Sequence, residues 1–481
     1  MTPGAPSRPT FFHRPRPPQD PGSPRGPEAS RASDDYVKRK DKKYVVEGIE
    51  LSDEQIRAAE RVMGSDKRVR IITGRAGAGK SLLTKYLQQE YDIRVTATTG
   101  RAAVNVNGTT VHNMFALRTT DWKCFSSGYL DFNMKRCPRD IIIDEASMCG
   151  LKMAQYLSDT IDRYDKRLIL VGDWAQASPV KDSWMFDTSF WRDAEYIKLN
   201  ECHRQTDRAF IDALDEARNG GISRDSEGVF RSCVDPIGTD TPGVVRMYAT
   251  NAMTKDWNDF KLDEHLSTTG FKPFQLNSTF RDEREDDKQR SAPRNGAFRD
   301  SAIEDSRLAH QDLFAKGAQV LITKNAKGTV DVATGDIHKE YVNGDTGIIE
   351  DVLNGAGEPL DPEKTWMPDD IAYIRIRRTR DDYVICLGRT AQEFKDPQDK
   401  VTHKVIGFSL ALGYALSIHR SQGMTVDNAW LDMSSIMCFP DGNRHGLGYV
   451  GLSRTRTLRG LKISAFLPGA VVCDDVVKPW I

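Results

Sequence analysis

Lys80 and Ser81 close the run GRAGAGKS (residues 74–81), which contains Gly74, Gly77 and Gly79. This is the G-x-x-x-x-G-K-[ST] pattern of a phosphate-binding loop. Its glycines let backbone N–H groups wrap the α- and β-phosphates of a nucleotide. Lys80 is expected to reach the β- and γ-phosphates, and Ser81 to ligate Mg²⁺. The chemistry expected here is therefore that of ATP with Mg²⁺. A second element, IIIDEAS (residues 141–147), ends an apolar run in two carboxylates, Asp144 and Glu145. Asp144 suits the Mg²⁺ shell. Glu145 suits the orientation and deprotonation of an attacking water. A third, LVGDWAQASPV (residues 170–180), sets the Gln176 amide after another apolar run and a glycine turn, where it can hydrogen-bond a γ-phosphate.

These side chains need a scaffold that delivers them to one edge. Short apolar segments supply it: VRIIT (69–73), RVTATT (94–99), DIIIDEA (140–146), RLILVGD (167–173) and EYIKLN (195–200) alternate with helical stretches. That alternation predicts a parallel sheet covered on both faces, with ligands at the carboxyl ends of its strands. A second group, GAQVLITKN (317–325), VIGFSLALGYALSIH (405–419), NAWLDM (428–433) and GLKISAF (460–466), predicts a second α/β layer. Residues 341–390 alternate in polarity and carry turn signals, as a small β insertion would.

The expected organisation is a Pro/Arg-rich disordered tail over 1–45 and a first α/β domain over 46–200. A second domain begins at 201–310 with a charged insertion, is interrupted by a β region at 311–404, and is completed by 405–481. Nine of the 22 prolines fall in the first 30 residues, which blocks helix and ladder propagation there.

Composition bounds the function. The chain has 481 residues, 39% hydrophobic and 28% charged, with formal net charge −1. A uniformly basic nucleic-acid binder is excluded, whereas a local basic groove is not. No apolar run is long enough to span a bilayer. The eight cysteines are scattered without a C-x-x-C pair, which fits reduced thiols, an intracellular location and no zinc site. A cytoplasmic protein of a phage or bacterial host is expected, with organelle targeting left open.

Taken in order, the motifs resemble those of superfamily 1B DNA helicases, the RecD-like group that includes the phage Dda helicase and the petite-integration-frequency helicases. LSDEQ (51–55) looks like the Q motif and GRAGAGKS like motif I. TTGRAAVNVNGTTVHNMF (98–115) looks like motifs Ia and Ib. DEAS and GDWAQ look like motifs II and III, LNECHRQ (199–205) like motif IV, IHRSQGMT (418–425) like motif V and YVGLSRTR (449–456) like motif VI. The resemblance implies two RecA-like domains, with a pin insertion in the first (about 116–138) and an SH3-like β insertion in the second. It departs from the common pattern at Ala177, Arg420 and Gly451, none of which removes a catalytic side chain.

The resemblance also implies roles. Gln55 would read adenine, although Ser52 and Gln55 also spell the S-x-x-Q capping box of the helix they open. Arg204 and Arg454 would reach the γ-phosphate from the second domain, making hydrolysis depend on domain closure; a surface salt bridge is the ordinary alternative for either. Gln422 and Gly423 would face the nucleotide cleft. Thr98, Thr99, Thr110 and His112 in the first domain, and His419 and Thr425 in the second, would contact the DNA strand without reading sequence. Trp122, Phe125, Tyr129 and Phe132 are wedge candidates, or else they pack a small core of the insertion. IRIRRTR (374–380) lines a DNA path or forms a solvated strand.

The function expected is an ATP-dependent DNA helicase moving 5′→3′ on single strands and opening forked DNA in replication, recombination or repair. A monomer is expected, with a single-strand-binding protein as a potential partner. Two other readings stay open: a nucleotide-dependent single-strand-binding or remodelling ATPase that does not unwind, and a RecD-like subunit of a nuclease complex.

Overall fold

The computed structural model describes residues 44–481 except 47, 99–101, 104–105, 107, 119–121, 125, 177, 180–181, 239–240, 284–295, 307, 325–328, 331–336, 339–340, 342, 396–400 and 441–442. The tail, Thr99, Phe125, Ala177 and most of the charged run at 280–300 lie outside the described residues.

Six strands form the first sheet: β1 (Val69–Gly74), β2 (Ile93–Ala97), β3 (Thr109–Thr110), β4 (Asp140–Asp144), β5 (Arg167–Gly172) and β6 (Glu195–Leu199). They run parallel in the order β3-β2-β4-β5-β1-β6, with Ile71 opposite Leu170 and Ile142 opposite Ile169. Every residue of β1 and β4 is buried, as continuous apolar runs require when helices cover both faces. The covering helices include α1 (Asp53–Gly64), α2 (Lys80–Glu90), α3 (Ser127–Arg136) and α4 (Leu151–Arg163). Because β1 and β4 are adjacent to β5, their carboxyl ends bring Gly74, Asp144 and Gly172 to one edge.

The second parallel sheet contains β7 (Val244–Tyr248), β8 (Ala415–Ser417), β9 (Asn428–Leu431) and β10 (Leu461–Ile463), in the order β8-β7-β9-β10. Its core takes Phe210, Ala213, Leu214 and Ala217 from α5 (Arg208–Arg218), so that helix belongs to the second domain. The short helices α6 (Ile418–Ser421) and α7 (Leu447–Leu452) pack on the same core through Ile418, Leu447, Val450 and Leu452. The fold is two RecA-like domains.

Between β7 and β8 the described residues build four antiparallel sheets, of which two have more than two strands. One has five strands, in the order 384–388, 373–378, 346–353, 319–322 and 410–412, around Ile349, Ile374, Ile376, Ile385 and Leu387. The other joins 279–282, 401–407 and 390–395, with the helix Gly296–Ser306 contributing buried Ala302 against Val405. The charged strand YIRIRR is a sheet strand whose outward arginines meet Glu350 and Asp351 of the neighbouring strand. Among the described residues, no helix is long and apolar enough to cross a membrane.

Candidate nucleotide site and strand cleft

The loop after β1 turns into α2 through Gly77 and Gly79, at φ +83° and +77°. A Cβ on Gly77 would come within 2.6 Å of the Arg204 Cβ, so glycine is required both by the left-handed backbone and by the approach of residue 204. Lys80 Nζ is held at the loop mouth by the carbonyls of Gly74 (2.7 Å) and Arg75 (3.0 Å). Ser81 is exposed in the first turn of α2, beside it in sequence. The Ser52–Gln55 capping box is formed: Gln55 Oε1 accepts from Ser52 N at 3.0 Å. The same amide also donates to the carbonyls of Ala78 and Gly79, both at 3.4 Å. Gln55 thus ties the helix start to the phosphate loop.

Asp144 ends β4, and its Oδ1 accepts the Glu145 backbone N–H at 3.0 Å. Glu145 adopts φ +52°, a conformation that costs a non-glycine residue and projects its carboxylate out of the strand line. Burial and the neighbouring Glu145 push Asp144 up to about 7. Burial also raises Glu145, opposed by Lys80, Arg454 and Arg204. Three cations therefore converge on one carboxylate. In the same way, burial lowers the Lys80 ammonium while Asp173 and Glu145 oppose it.

Arg204 is half-buried and donates to the Ser453 carbonyl at 3.2 Å. Arg454 is fully enclosed. Its guanidinium donates to the carbonyls of Val450 (2.7 Å), Ser421 (3.1 Å) and Met424 (3.4 Å) and to Ser453 Oγ (2.6 Å). Burial, and then Arg204, bring it down to about 9. Neither arginine makes the surface salt bridge that is the ordinary fate of arginine. Arg454 also braces the loop after α6 that carries Gln422 and Gly423; Gly423 sits at φ +74° and Gln422 is half-buried at the helix end.

The Gln176 amide donates to Asp173 Oδ2 at 3.2 Å. Asp173 was not singled out by sequence, yet it is the hub of the seam between the domains. It accepts Nε (3.1 Å) and Nη2 (2.9 Å) of Arg218 from α5, and the Tyr449 hydroxyl (3.2 Å) from α7. Burial pushes its carboxyl up, but Arg218 and Lys80 outweigh that and hold it below its ordinary value. One turn before Arg218, Asp215 pairs with Arg75 of the phosphate loop. The Tyr449 hydroxyl accepts the Ala76 N–H at 2.8 Å. His445 Nε2 meets the Trp174 carbonyl at 2.9 Å. At Gly446, φ +72°, a Cβ would lie 2.5 Å from the backbone of Gln176. GDWAQ and YVGLSRTR contained Asp173, Trp174, Gln176 and Tyr449, but no spacing rule pairs segments 276 positions apart, and Arg218 reads as an ordinary last-turn helix cation.

Adjoining the site, with Glu145 and Gln422 in its wall, lies a cleft of about 820 Å³. Ala102, Glu145 and Met148 line it from the first domain, and His419, Arg420 and Gln422 from the second. His419 and Arg420 are exposed, and Thr425 is half-buried. Asp300, Glu304 and Asp312 line it too, an acidic contribution absent from the expected strand contacts. Thr98 does not face this space freely: it is buried, and its hydroxyl donates to the Glu145 carbonyl at 3.0 Å. Thr110 caps the following short helix through Asn113 N at 3.2 Å. His112 is half-buried, 6.1 Å from the Trp122 ring, and burial lowers its pKa.

The wedge candidates separate into two settings. Trp122, at φ +58°, belongs to a turn closed by the Leu117–Cys124 bridge. Tyr129 and Phe132 lie on α3, where Tyr129 donates to Asn113 Oδ1 at 2.9 Å and Phe132 lies under the Arg136 guanidinium.

Residues 50–229 match the family model described as an AAA domain. Over 463 aligned residues, 90% of this chain and 92% of the relative, the sequence is 27% identical to the ATP-dependent DNA helicase Pif1 of Bdellovibrio bacteriovorus. It is also 27% identical to the PIF1 helicase of Danio rerio, covering 89% of this chain and 63% of that protein. The fold matches the Pif1 helicase structure from Candida albicans, with TM-score 0.63, 24% identity, and coverage of 89% of this chain and 98% of that one. The chain resembles Pif1 helicases in sequence and in fold. A Bacteroides Pif1 structure superposes with TM-score 0.67 at 22% identity, over 90% of this chain and 96% of that one.

Proposed function

We propose that the protein is an ATP-driven DNA helicase that moves 5′→3′ on single strands and opens forked duplexes. One observation carries this reading: the loop that holds Lys80 lies against Arg204, which a Cβ on Gly77 would meet, and is bonded through Ala76 to Tyr449 of the second domain, so the nucleotide site is completed only where the domains meet. An ATPase built this way couples turnover to domain closure, and closure moves the walls of the adjoining cleft, which both domains line. Sequence relatives named as ATP-dependent DNA helicases support it, as do neighbours solved with single-stranded and forked DNA.

In this reading Gly74, Gly77, Gly79 and Lys80 cradle the ATP phosphates, and Gln55 backs the adenine end of the loop. A buried carboxylate at the end of β4 and an exposed serine in the first turn of α2 are the oxygen donors that Mg²⁺ takes; Ser81 and Asp144 would hold the ion, which would neutralise phosphate charge. Glu145 takes the proton of the attacking water. Arg204 and Arg454 stabilise the charge developing on the γ-phosphate, and Gln176 orients it. On the cleft side, His419, Thr425, Thr110 and His112 contact the strand backbone, and Trp122 serves as the wedge, a reading supported by its left-handed backbone at φ +58°. The protein acts as a monomer in DNA replication, repair or recombination, with a single-strand-binding protein as a potential partner.

A fork assay tests the reading. A substrate with a 5′ tail is expected to unwind and one with only a 3′ tail is not; the opposite preference overturns the direction. Hydrolysis without unwinding of either fork would instead favour a single-strand-binding remodeller.

A further inference from the structure

The phosphate loop is gripped by the other domain at two consecutive residues. Arg75 pairs with Asp215 of α5, and the Ala76 N–H donates to the Tyr449 hydroxyl of α7. Tyr449 passes its own proton toward Asp173, which is held in turn by Arg218, one turn from Asp215 on α5. The result is a closed circuit: loop, α7, the end of β5, α5, loop. Burial keeps Tyr449 a neutral hydroxyl, able to accept from Ala76 and donate to Asp173 together. The Tyr449 ring itself packs on Ala76 and Ala175.

We infer that Tyr449, with Asp215 as its partner on the adjoining residue, positions the phosphate loop for hydrolysis only when the second domain is seated. Resting on the ATPase reading above, it adds a device that none of the phosphate-contacting residues provides. Binding of ATP draws on the first domain's own glycine loop and Lys80. Turnover requires that loop in the shape that Tyr449 and Asp215 impose. The two residues are positioning residues: they act through Ala76 and Arg75.

Tyr449→Phe tests this, since it deletes both hydroxyl bonds and keeps the ring packing. The kcat for ATP is expected to fall about tenfold, the size of losing one to two buried hydrogen bonds in the closed state alone. KM for ATP and Kd for ADP should stay within about twofold, and Tm should fall by only a few degrees, about the cost of one to two buried hydrogen bonds. Asp215→Asn, at a partly exposed site that tolerates the change, is expected to lower kcat about threefold. The double variant should fall by less than the product of the two, because both act on one loop. An unchanged kcat in Tyr449→Phe overturns the inference. So does a joint shift of kcat, KM and Tm, which marks a merely structural tyrosine, and so does strict multiplicativity of the two variants. Wild-type turnover that ignores single-stranded DNA removes the helicase reading instead; the variants are compared with wild type under whichever condition it hydrolyses ATP, so the two failures stay distinct.

Discussion

The two faces of the interdomain boundary are built on opposite principles. On the nucleotide face the domains interlock: Asp173 with Arg218 and Tyr449, His445 with Trp174, Gly446 against Gln176. On the strand face the same domains stand apart across about 820 Å³, and the lining mixes His419 and Arg420 with Asp300, Glu304 and Asp312. The chemistry demands fixed charge geometry, which buried, fully partnered groups deliver. A moving track demands the reverse: grips weak enough to release at every step. A carboxylate-lined cleft suits that, because it tempers the attraction of phosphate for cations.

Substitutions on the two faces should therefore separate turnover from grip. The largest effect is expected at Lys80→Ala, which should cut ATP hydrolysis by about 10³-fold or more and leave single-strand binding by fluorescence anisotropy intact; loss of both would mean that the faces are not separable. Arg204→Ala should also lower kcat by about 10³-fold with Tm preserved. Arg454→Ala should lose turnover and also about 2–3 kcal/mol of stability, because its buried guanidinium braces the carbonyls of Val450, Ser421 and Met424.

A pH series on Mg²⁺-free protein sharpens the nucleotide side. Asp144 is raised to about 7, so the folded state holds a proton there that the unfolded chain has released. This contribution costs nothing at low pH. It destabilises the fold progressively as pH rises from the ordinary carboxyl range, and it levels off above about 7. Asp144→Asn should thus gain Tm over wild type as pH rises from 5 to 8 in EDTA, with a plateau beyond 7; a constant difference across the series would contradict the shift. Gln422→Ala joins the two faces, and its unwinding rate should fall about tenfold with a smaller loss of hydrolysis. The smallest effect is expected from Asp300→Asn with Glu304→Gln, which should tighten single-strand binding about two- to fivefold, most visibly at low salt.

Much of this was legible in the chain itself. Glycine spacing, three buried isoleucines ending in Asp144 and Glu145, and alternating apolar runs have strictly local causes: backbone freedom, burial on both faces, a strand end. They predicted the first sheet and the placement of the phosphate loop and the acidic pair. Of the second layer only 415–417, 428–431 and 461–463 join the parallel sheet, while 319–322, 401–407 and 410–412 pair antiparallel and Val244–Tyr248 was not foreseen, because strand partners are chosen by contacts far along the chain. The S-x-x-Q capping box was likewise readable, and the added grip of Gln55 on the loop was not. Thr98 illustrates the limit. Its position in the motif was readable, but its hydroxyl is committed to Glu145 because β2 lies beside β4.

By itself the sequence determined which side chains are the candidates for phosphate chemistry and which elements carry them, because those signals act within a few residues. Only the tertiary structure decided that Asp173, Arg218, Asp215 and Tyr449 form one circuit, that Arg454 braces the IHRSQGMT loop, and that carboxylates share the strand cleft. Each of those contacts joins segments far apart in sequence. A buried charge is tolerable only where the fold brings its partner, and no local pattern names that partner in advance.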